Sequence, residues 1–242
     1  MSKLFFANWK MYLGDAEAEA LARVYAEGAV SALVDVAVAP GFTALERVAR
    51  ALEGSKVALG AQDAFWKDDG AFTGEVSPKQ LAALGAKFVI VGHSERRALG
   101  ETDGVVARKA AAVAADGLTP VVCVGETKEE RDNGQRESVV HAQLEAVLKD
   151  WSSEKPLVIA YEPRWAIGTG TPCGPEDVTT MHTAIREMLA AAGLSARVLY
   201  GGSVDPSNLT TYLDLPVVDG LLVGGASARP DDARAMLDLL SR

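Results

Sequence analysis

Short apolar runs and longer alanine-rich stretches with helical spacing alternate from one end of this 242-residue chain to the other. The apolar runs are Leu4–Ala7, Val36–Ala39, Val57–Ala61, Phe88–Val91, Pro120–Val124, Leu157–Tyr161, Val198–Tyr200 and Leu221–Val223. Each is continuous rather than alternating with polar residues, as expected of parallel strands buried on both faces. Between them, Ala16–Glu27, Thr43–Leu52, Val105–Ala115, Val139–Leu148, Glu176–Ala192 and Asp231–Leu240 carry helical periodicity, several with Asp, Ser or Pro at their starts. A strand followed by a helix, repeated around eight strands, predicts right-handed crossovers and closure. The expected fold class is α/β, a closed (β/α)8 barrel of eight parallel strands with an outer ring of helices, formed by residues 1–242 as a single domain.

An open doubly wound sheet is the competing architecture, and it predicts a Gly-x-Gly-x-x-Gly turn after the first strand. The chain has Asn8-Trp9-Lys10 there. Two connections, Gln62–Glu75 and Pro163–Pro175, are longer than ordinary strand-to-helix loops and combine glycines with aromatics. No linker or low-complexity segment marks a second domain.

Composition narrows the function classes. Hydrophobic residues make up 48% and charged residues 24%, an ordinary globular balance. No apolar run is long enough to span a bilayer, and Met1 to Leu13 lacks the unbroken apolar stretch of a secretory signal, so a cytoplasmic protein without a membrane partner is expected. A formal charge of −9 without a basic cluster argues against nucleic acid. Cys123 and Cys173 form no Cys-x-x-Cys and no histidine stands at ligand spacing, so neither a disulfide nor a metal site is expected.

In a closed parallel barrel the chemistry lies at the carboxyl ends of the strands. This chain places Asn8 and Lys10 after the first run, Gly92-His93-Ser94-Glu95 after the fourth, and Glu162-Pro163 after the sixth. Gly201-Gly202-Ser203 follows the seventh and Gly224-Gly225 the eighth. The paired glycines read singly as tight turns; together, with a helix starting near Pro230, they read as a phosphate cradle of open backbone N–H groups. Glu162 directly follows an apolar run, where burial would raise its pKa and suit it to act as a base; a rim ion pair with Lys10 or Arg164 is the alternative. Lys10 is either a solvated lysine or the cation of an anion site in an acidic protein. His93 is either a structural histidine or a polar group of the site, whereas His141 and His182 fall on helices and read as structural.

Six segments resemble one family in order and in spacing. They are Asn8-Trp9-Lys10-Met11, Gly92-His93-Ser94-Glu95-Arg96-Arg97, Tyr161-Glu162-Pro163, Trp165 to Gly170, Tyr200-Gly201-Gly202-Ser203-Val204 and Leu222 to Ser227. They are similar to the triosephosphate isomerases. That resemblance implies a cofactor-free interconversion of dihydroxyacetone phosphate and glyceraldehyde 3-phosphate, a small phosphorylated triose being the substrate. It implies Glu162 as the base, neutral His93 polarising the substrate oxygens, and Lys10 and Asn8 stabilising negative charge, with Glu95 positioning Lys10. It further implies phosphate contacts at Gly168, Ser203, Gly224 and Gly225 and a lid over Pro163 to Gly174. Ala61–Ser77 resembles the family's dimer-forming finger, implying a homodimer in which Thr73 approaches the neighbour's site; a finger carrying Phe65, Trp66 and Phe72 would need a partner surface unless it folds back on its own barrel. The chain departs from the family at Tyr12, Asp63, Arg164 and Thr171-Pro172-Cys173.

Three other functions fit the same fold. A glycosidase would pair Glu95 with Glu162 and need no phosphate cradle. A Schiff-base aldolase would need a buried strand-end lysine. A non-catalytic barrel would bind a phosphorylated metabolite without needing Lys10, His93 and Glu162 together.

Overall fold

A computed structural model describes residues 2–28, 31–149, 151, 154, 157–167 and 172–241. Eight strands form one closed parallel sheet in chain order, β1 to β8, with β8 hydrogen-bonded back to β1. The strands are β1 Lys3–Asn8, β2 Val34–Ala39, β3 Ala58–Ala61, β4 Phe88–Val91, β5 Thr119–Val124, β6 Val158–Tyr161, β7 Arg197–Tyr200 and β8 Gly220–Val223. Every expected run is a strand, with ends moved by a residue or two where the ladder begins earlier or later than the apolar character.

The long crossover helices are α1 Asp15–Glu27, α2 Leu45–Ala51, α5 Asp103–Ala115, α7 Arg136–Leu148, α8 Pro175–Ala191 and α10 Pro230–Leu240. The stretch Thr43–Leu52 opens as a 3₁₀ turn, Phe42–Ala44, before α2 begins. Four short helices were not apparent from periodicity: α3 Pro78–Ala83, α4 Ser94–Ala98, α6 Lys128–Asp132 and α9 Leu209–Leu213. At one to two turns they are too short to show a repeat. Two of them nevertheless open with capping boxes, Ser77 with Gln80 and Thr127 with Glu130.

Side chains alternate across the sheet and divide the core into two layers. Leu4, Phe6, Ile90, Val121, Val158 and Leu199 belong to a cluster that fills the barrel interior. Their neighbours Phe5, Val89, Val122, Ile159 and Val198 face outward and join the larger cluster under the helices. The interior is a packed plug, so any pocket has to form above it.

Closure depends on close approach at one seam. Gly220 opens β8 opposite Leu4 with φ +155°, and a Cβ there would lie 2.0 Å from the Leu4 carbonyl oxygen. Backbone cannot yield as a flexible side chain would, so Gly220→Ala should push β8 away from β1. The expected loss is roughly 3 kcal/mol or more, or about 6–12 °C in Tm for a chain of this size, read by thermal and urea denaturation. A wild-type melting curve would mean that the seam tolerates a side chain.

Candidate active site

The inward alternation of the strands continues past the apolar plug and changes chemistry at a single level. On β1, Leu4 and Phe6 are followed by Asn8; on the β6 line, Val158 and Ala160 by Glu162; on β7, Leu199 by Gly201; on β8, Leu222 by Gly224. Period two therefore aims these groups at one place. They border a cavity of about 320 Å³ together with Lys10, His93, Ser203 and Gly225. Seven of the eight residues expected to touch substrate thus share one pocket. The eighth, Gly168, lies outside the described residues, with the middle of the expected lid.

Glu162 is buried, its side chain only 3% exposed. Its Oε1 lies 3.0 Å from His93 Nε2, and Oε2 accepts a 2.8 Å hydrogen bond from the Ser94 N–H. Neither Lys10 nor Arg164 pairs with it, so the rim ion pair considered from the sequence is not formed. Burial pushes the Glu162 carboxyl up, as expected, but His93, the Ser94 N–H and Lys10 together outweigh burial and leave its pKa lowered. The expectation of a raised pKa is corrected for this state: the sequence showed the apolar run but not the donors that meet the carboxylate.

His93 is the N-cap of α4, and its Nδ1 accepts from the Glu95 N–H at 3.2 Å. Burial pushes the imidazole pKa down; the Glu162 carboxylate, helped by Glu95, reverses this and raises it. A second ring proton would have to displace the Glu95 N–H from Nδ1. The bond from the Glu95 N–H favours the neutral ring, with its proton on Nε2 toward Glu162, and opposes the charged form that the carboxylate favours. His182, by contrast, is buried on α8 and its pKa is pushed down to about 4 by burial.

Lys10 is the one non-glycine residue at positive φ, +50°, among the described residues. Such a conformation costs about 1–3 kcal/mol and persists only where neighbours enforce it. Asn8 Oδ1 accepts from the Lys10 N–H at 3.1 Å. Gln62 Nε2 donates to the Lys10 carbonyl at 2.7 Å and to the Ala39 carbonyl at 3.0 Å. The side chain then crosses the pocket edge to Glu95, with Nζ 2.6 Å from Oε1. Gly224 leaves room for its path, since a Cβ there would stand 3.0 Å from Lys10 Cε.

Gln62 was missed among the candidates, although the strand-end rule that selected Asn8 and Glu162 points to it, the first residue after β3. The same rule finds Glu126 just beyond β5, fully buried, accepting from Trp165 Nε1 at 2.7 Å and from the Tyr161 hydroxyl at 3.2 Å. Downstream of the undescribed residues 168–171, the Cys173 N–H donates to the Tyr200 hydroxyl at 3.2 Å, and its carbonyl accepts from Tyr212 at 2.7 Å. A 3₁₀ turn, Gly225–Ala228, separates β8 from α10, so this turn and not the helix at Pro230 directly borders the glycine pair.

The loop after β3 packs largely on itself. Phe65 is buried, with ring centroids 4.0 Å from Trp66 and 4.7 Å from Phe72, and Arg108 stacks on Trp66 at 4.2 Å. The expectation that all three aromatics need a partner surface is corrected; Phe72 alone is exposed, and Thr73 beside it. Asp63 anchors the loop through a buried contact to Lys109 Nζ at 2.7 Å and another to Arg96 at 3.0 Å.

The family model described as triosephosphate isomerase matches residues 3–240. Among curated relatives, the chain is similar to the triosephosphate isomerase of Herpetosiphon aurantiacus, 48% identical over 95% of each chain. It is similar also to that of Roseiflexus castenholzii, 45% identical over 98% of this chain and 97% of the relative, and to that of Pelobacter propionicus, 47% identical over 93% and 94%.

Gln62→Ala removes both carbonyl anchors that hold Lys10 in its strained conformation. A stability loss of about 1–3 kcal/mol is expected in urea denaturation. Turnover should fall by about tenfold or more, because the Lys10 ammonium loses its fixed position. Unchanged turnover despite the lost stability would show that Gln62 supports the fold and not the lysine.

Proposed function

The chain belongs to the triosephosphate isomerase family, and from that premise we propose that its chemistry is carried by the groups on the barrel rim. The protein interconverts dihydroxyacetone phosphate and glyceraldehyde 3-phosphate, two isomers that differ in which of two adjacent carbons bears the carbonyl.

Glu162 takes the proton from the carbon next to the carbonyl. The C–H electron pair becomes the new C=C bond, the carbonyl π pair moves onto oxygen, and an ene-diolate results. The protonated carboxyl then returns a proton to the neighbouring carbon, which takes it with the C=C electron pair, while the hydroxyl proton of the first carbon passes to the oxygen of the second, so that the first carbon becomes the carbonyl. The observation that supports this assignment above all is the shared contact of Glu162 with His93 Nε2–H and the Ser94 N–H on the pocket wall. When a substrate oxygen takes the His93 proton in place of Glu162, the contacts that hold the carboxylate pKa down are given up. Burial, which pushes it up, then dominates, and the carboxylate becomes a stronger base when substrate is in place. Lys10 supplies permanent positive charge to the developing oxyanion, with Asn8 fixing its backbone and Glu95 its ammonium. No metal or cofactor is invoked.

Ser203, Gly224 and Gly225 are proposed to hold the phosphate through backbone N–H groups, with Gly168 joining them. Two alternatives from the sequence lose support. Glu95 is half-exposed and bound to Lys10, which does not suit a glycosidase carboxylate pair. The same bond ties Lys10 Nζ to a carboxylate at the pocket edge, which does not suit the apolar, desolvated setting of a Schiff-base lysine.

No helix among the described residues is long and apolar enough to cross a membrane; we assign the protein to the cytoplasm. We also propose a homodimer in which the loop carrying Phe72 and Thr73 meets the rim of a second copy, where Met11 is 98% exposed. Thr73→Arg should shift sedimentation from dimer to monomer and lower activity by at least about tenfold. A wild type that sediments as a fully active monomer would remove the dimer from the mechanism.

The reaction is tested with dihydroxyacetone phosphate in deuterated water, following carbon-bound protons by NMR. Deuterium incorporation together with aldehyde formation is expected, and neither signal would appear if the reading were wrong. Glu162→Asp withdraws the carboxylate by one methylene, a displacement of roughly 1 Å that should lower kcat by about a hundredfold while KM changes little. A variant turning over at the wild-type rate would mean that Glu162 is not the base.

A further inference from the structure

A phosphate dianion has to enter this pocket on a chain with formal charge −9. Among the described residues, four charged ones line the pocket: Glu162 and Asp205 are acidic, Lys10 and Arg229 basic. Both cations carry a carboxylate partner, Lys10 with Glu95 at 2.6 Å and Arg229 with Asp232, and Arg229, its side chain 63% exposed against 15% for Lys10, is the one open to incoming substrate.

The geometry of Arg229 suits it to that task. It stands immediately before α10, and its Nε and Nη2 both bind the Asp232 carboxylate at 2.5 Å. This fixes the plane of the guanidinium. Nη1 is left without a hydrogen-bond partner among the described residues, and the side chain is 63% exposed. Nη1 reaches over Gly225, where a Cβ would stand 3.8 Å from it and 3.7 Å from the Tyr12 hydroxyl. Two donors from opposite ends of the chain therefore border the same residue on the pocket wall.

We propose that Arg229 Nη1 and the Tyr12 hydroxyl, converging over Gly225, form an outer anion station that captures the substrate phosphate before it passes to the inner glycine loops. Arg229 is then a determinant of association, distinct from the groups that perform proton transfer. The Asp232 contact orients the guanidinium without consuming Nη1, and the exposure of the pair makes its effect strongly dependent on ionic strength. Tyr12 adds a neutral donor that does not weaken with salt. The proposal rests on the reading of the substrate as a triose phosphate.

The test is kcat and KM of Arg229→Gln against wild type, from an ionic strength of about 10 mM, where the screening length is about 30 Å, to about 500 mM, where it is only a few ångströms. At the low end kcat/KM of the variant should be about five- to tenfold lower, from one unit charge acting on a dianion at the pocket mouth. At the high end the two enzymes should converge, with saturated turnover within about twofold throughout. Arg229→Lys should recover most of the low-salt loss, and Tyr12→Phe should raise KM about two- to threefold at every ionic strength. An Arg229→Gln enzyme equal to wild type at low salt, or carrying the same deficit at high salt, overturns the station. Failure of the wild type to isomerise dihydroxyacetone phosphate would instead remove the functional reading. Titration with inorganic phosphate would then still decide the station, since binding to wild type but not measurably weaker binding to Arg229→Gln would refute it.

Discussion

Closure of the parallel sheet is the constraint on which the rest of this molecule depends. Once β8 is hydrogen-bonded to β1, every strand points the same way and every carboxyl end lies on one rim. Side chains on each strand then have only two destinations, the interior plug or the layer beneath the helices. The plug fills the barrel, so the next inward positions have nowhere to go but the pocket. Asn8, Glu162, Gly201 and Gly224 are brought together by this parity, although they lie far apart in the chain.

The second constraint is electrostatic. The site brings together a carboxylate, an imidazole and an ammonium, each held by a partner. Glu162 rests on His93 and the Ser94 N–H; Lys10 rests on Glu95; His93 accepts from a backbone donor in the first turn of α4. In the proposed reaction, substrate oxygens compete for the donors on Glu162, and its basicity changes with its partners while burial is present throughout. The strained Lys10 backbone belongs to the same arrangement: Asn8 and Gln62 hold a conformation that an unsupported lysine would leave.

The loops that frame the pocket are tied to the barrel by polar contacts as well as by apolar packing. Asp63 meets Lys109 and Arg96 beneath the loop after β3, Glu126 receives Trp165, and Tyr200 and Tyr212 grip both backbone groups of Cys173. Each contact joins elements remote in sequence. Together they fix where the loops leave the barrel, and so fix the walls of the pocket.

The sequence by itself determined the barrel and the inventory of its rim. Eight apolar runs with helical stretches between them admit few folds, and polar residues immediately after those runs can only lie at the strand ends. Asn8, Lys10, His93, Glu162, Ser203, Gly224 and Gly225 were legible for that reason, and Gln62 and Glu126 obey the same rule. What only the tertiary structure decided is which of these groups touch. The lowered pKa of Glu162 and the hold of Gln62 on the Lys10 carbonyl depend on partners dozens of residues away, and the inward packing of Phe65 on a fold of its own loop. Periodicity reports which face of an element a residue occupies, and a residue's own neighbours report its local conformation. Neither carries the distance between a carboxylate just beyond β6 and a backbone N–H on α4, which is set by barrel closure and the register of β4, β5 and β6.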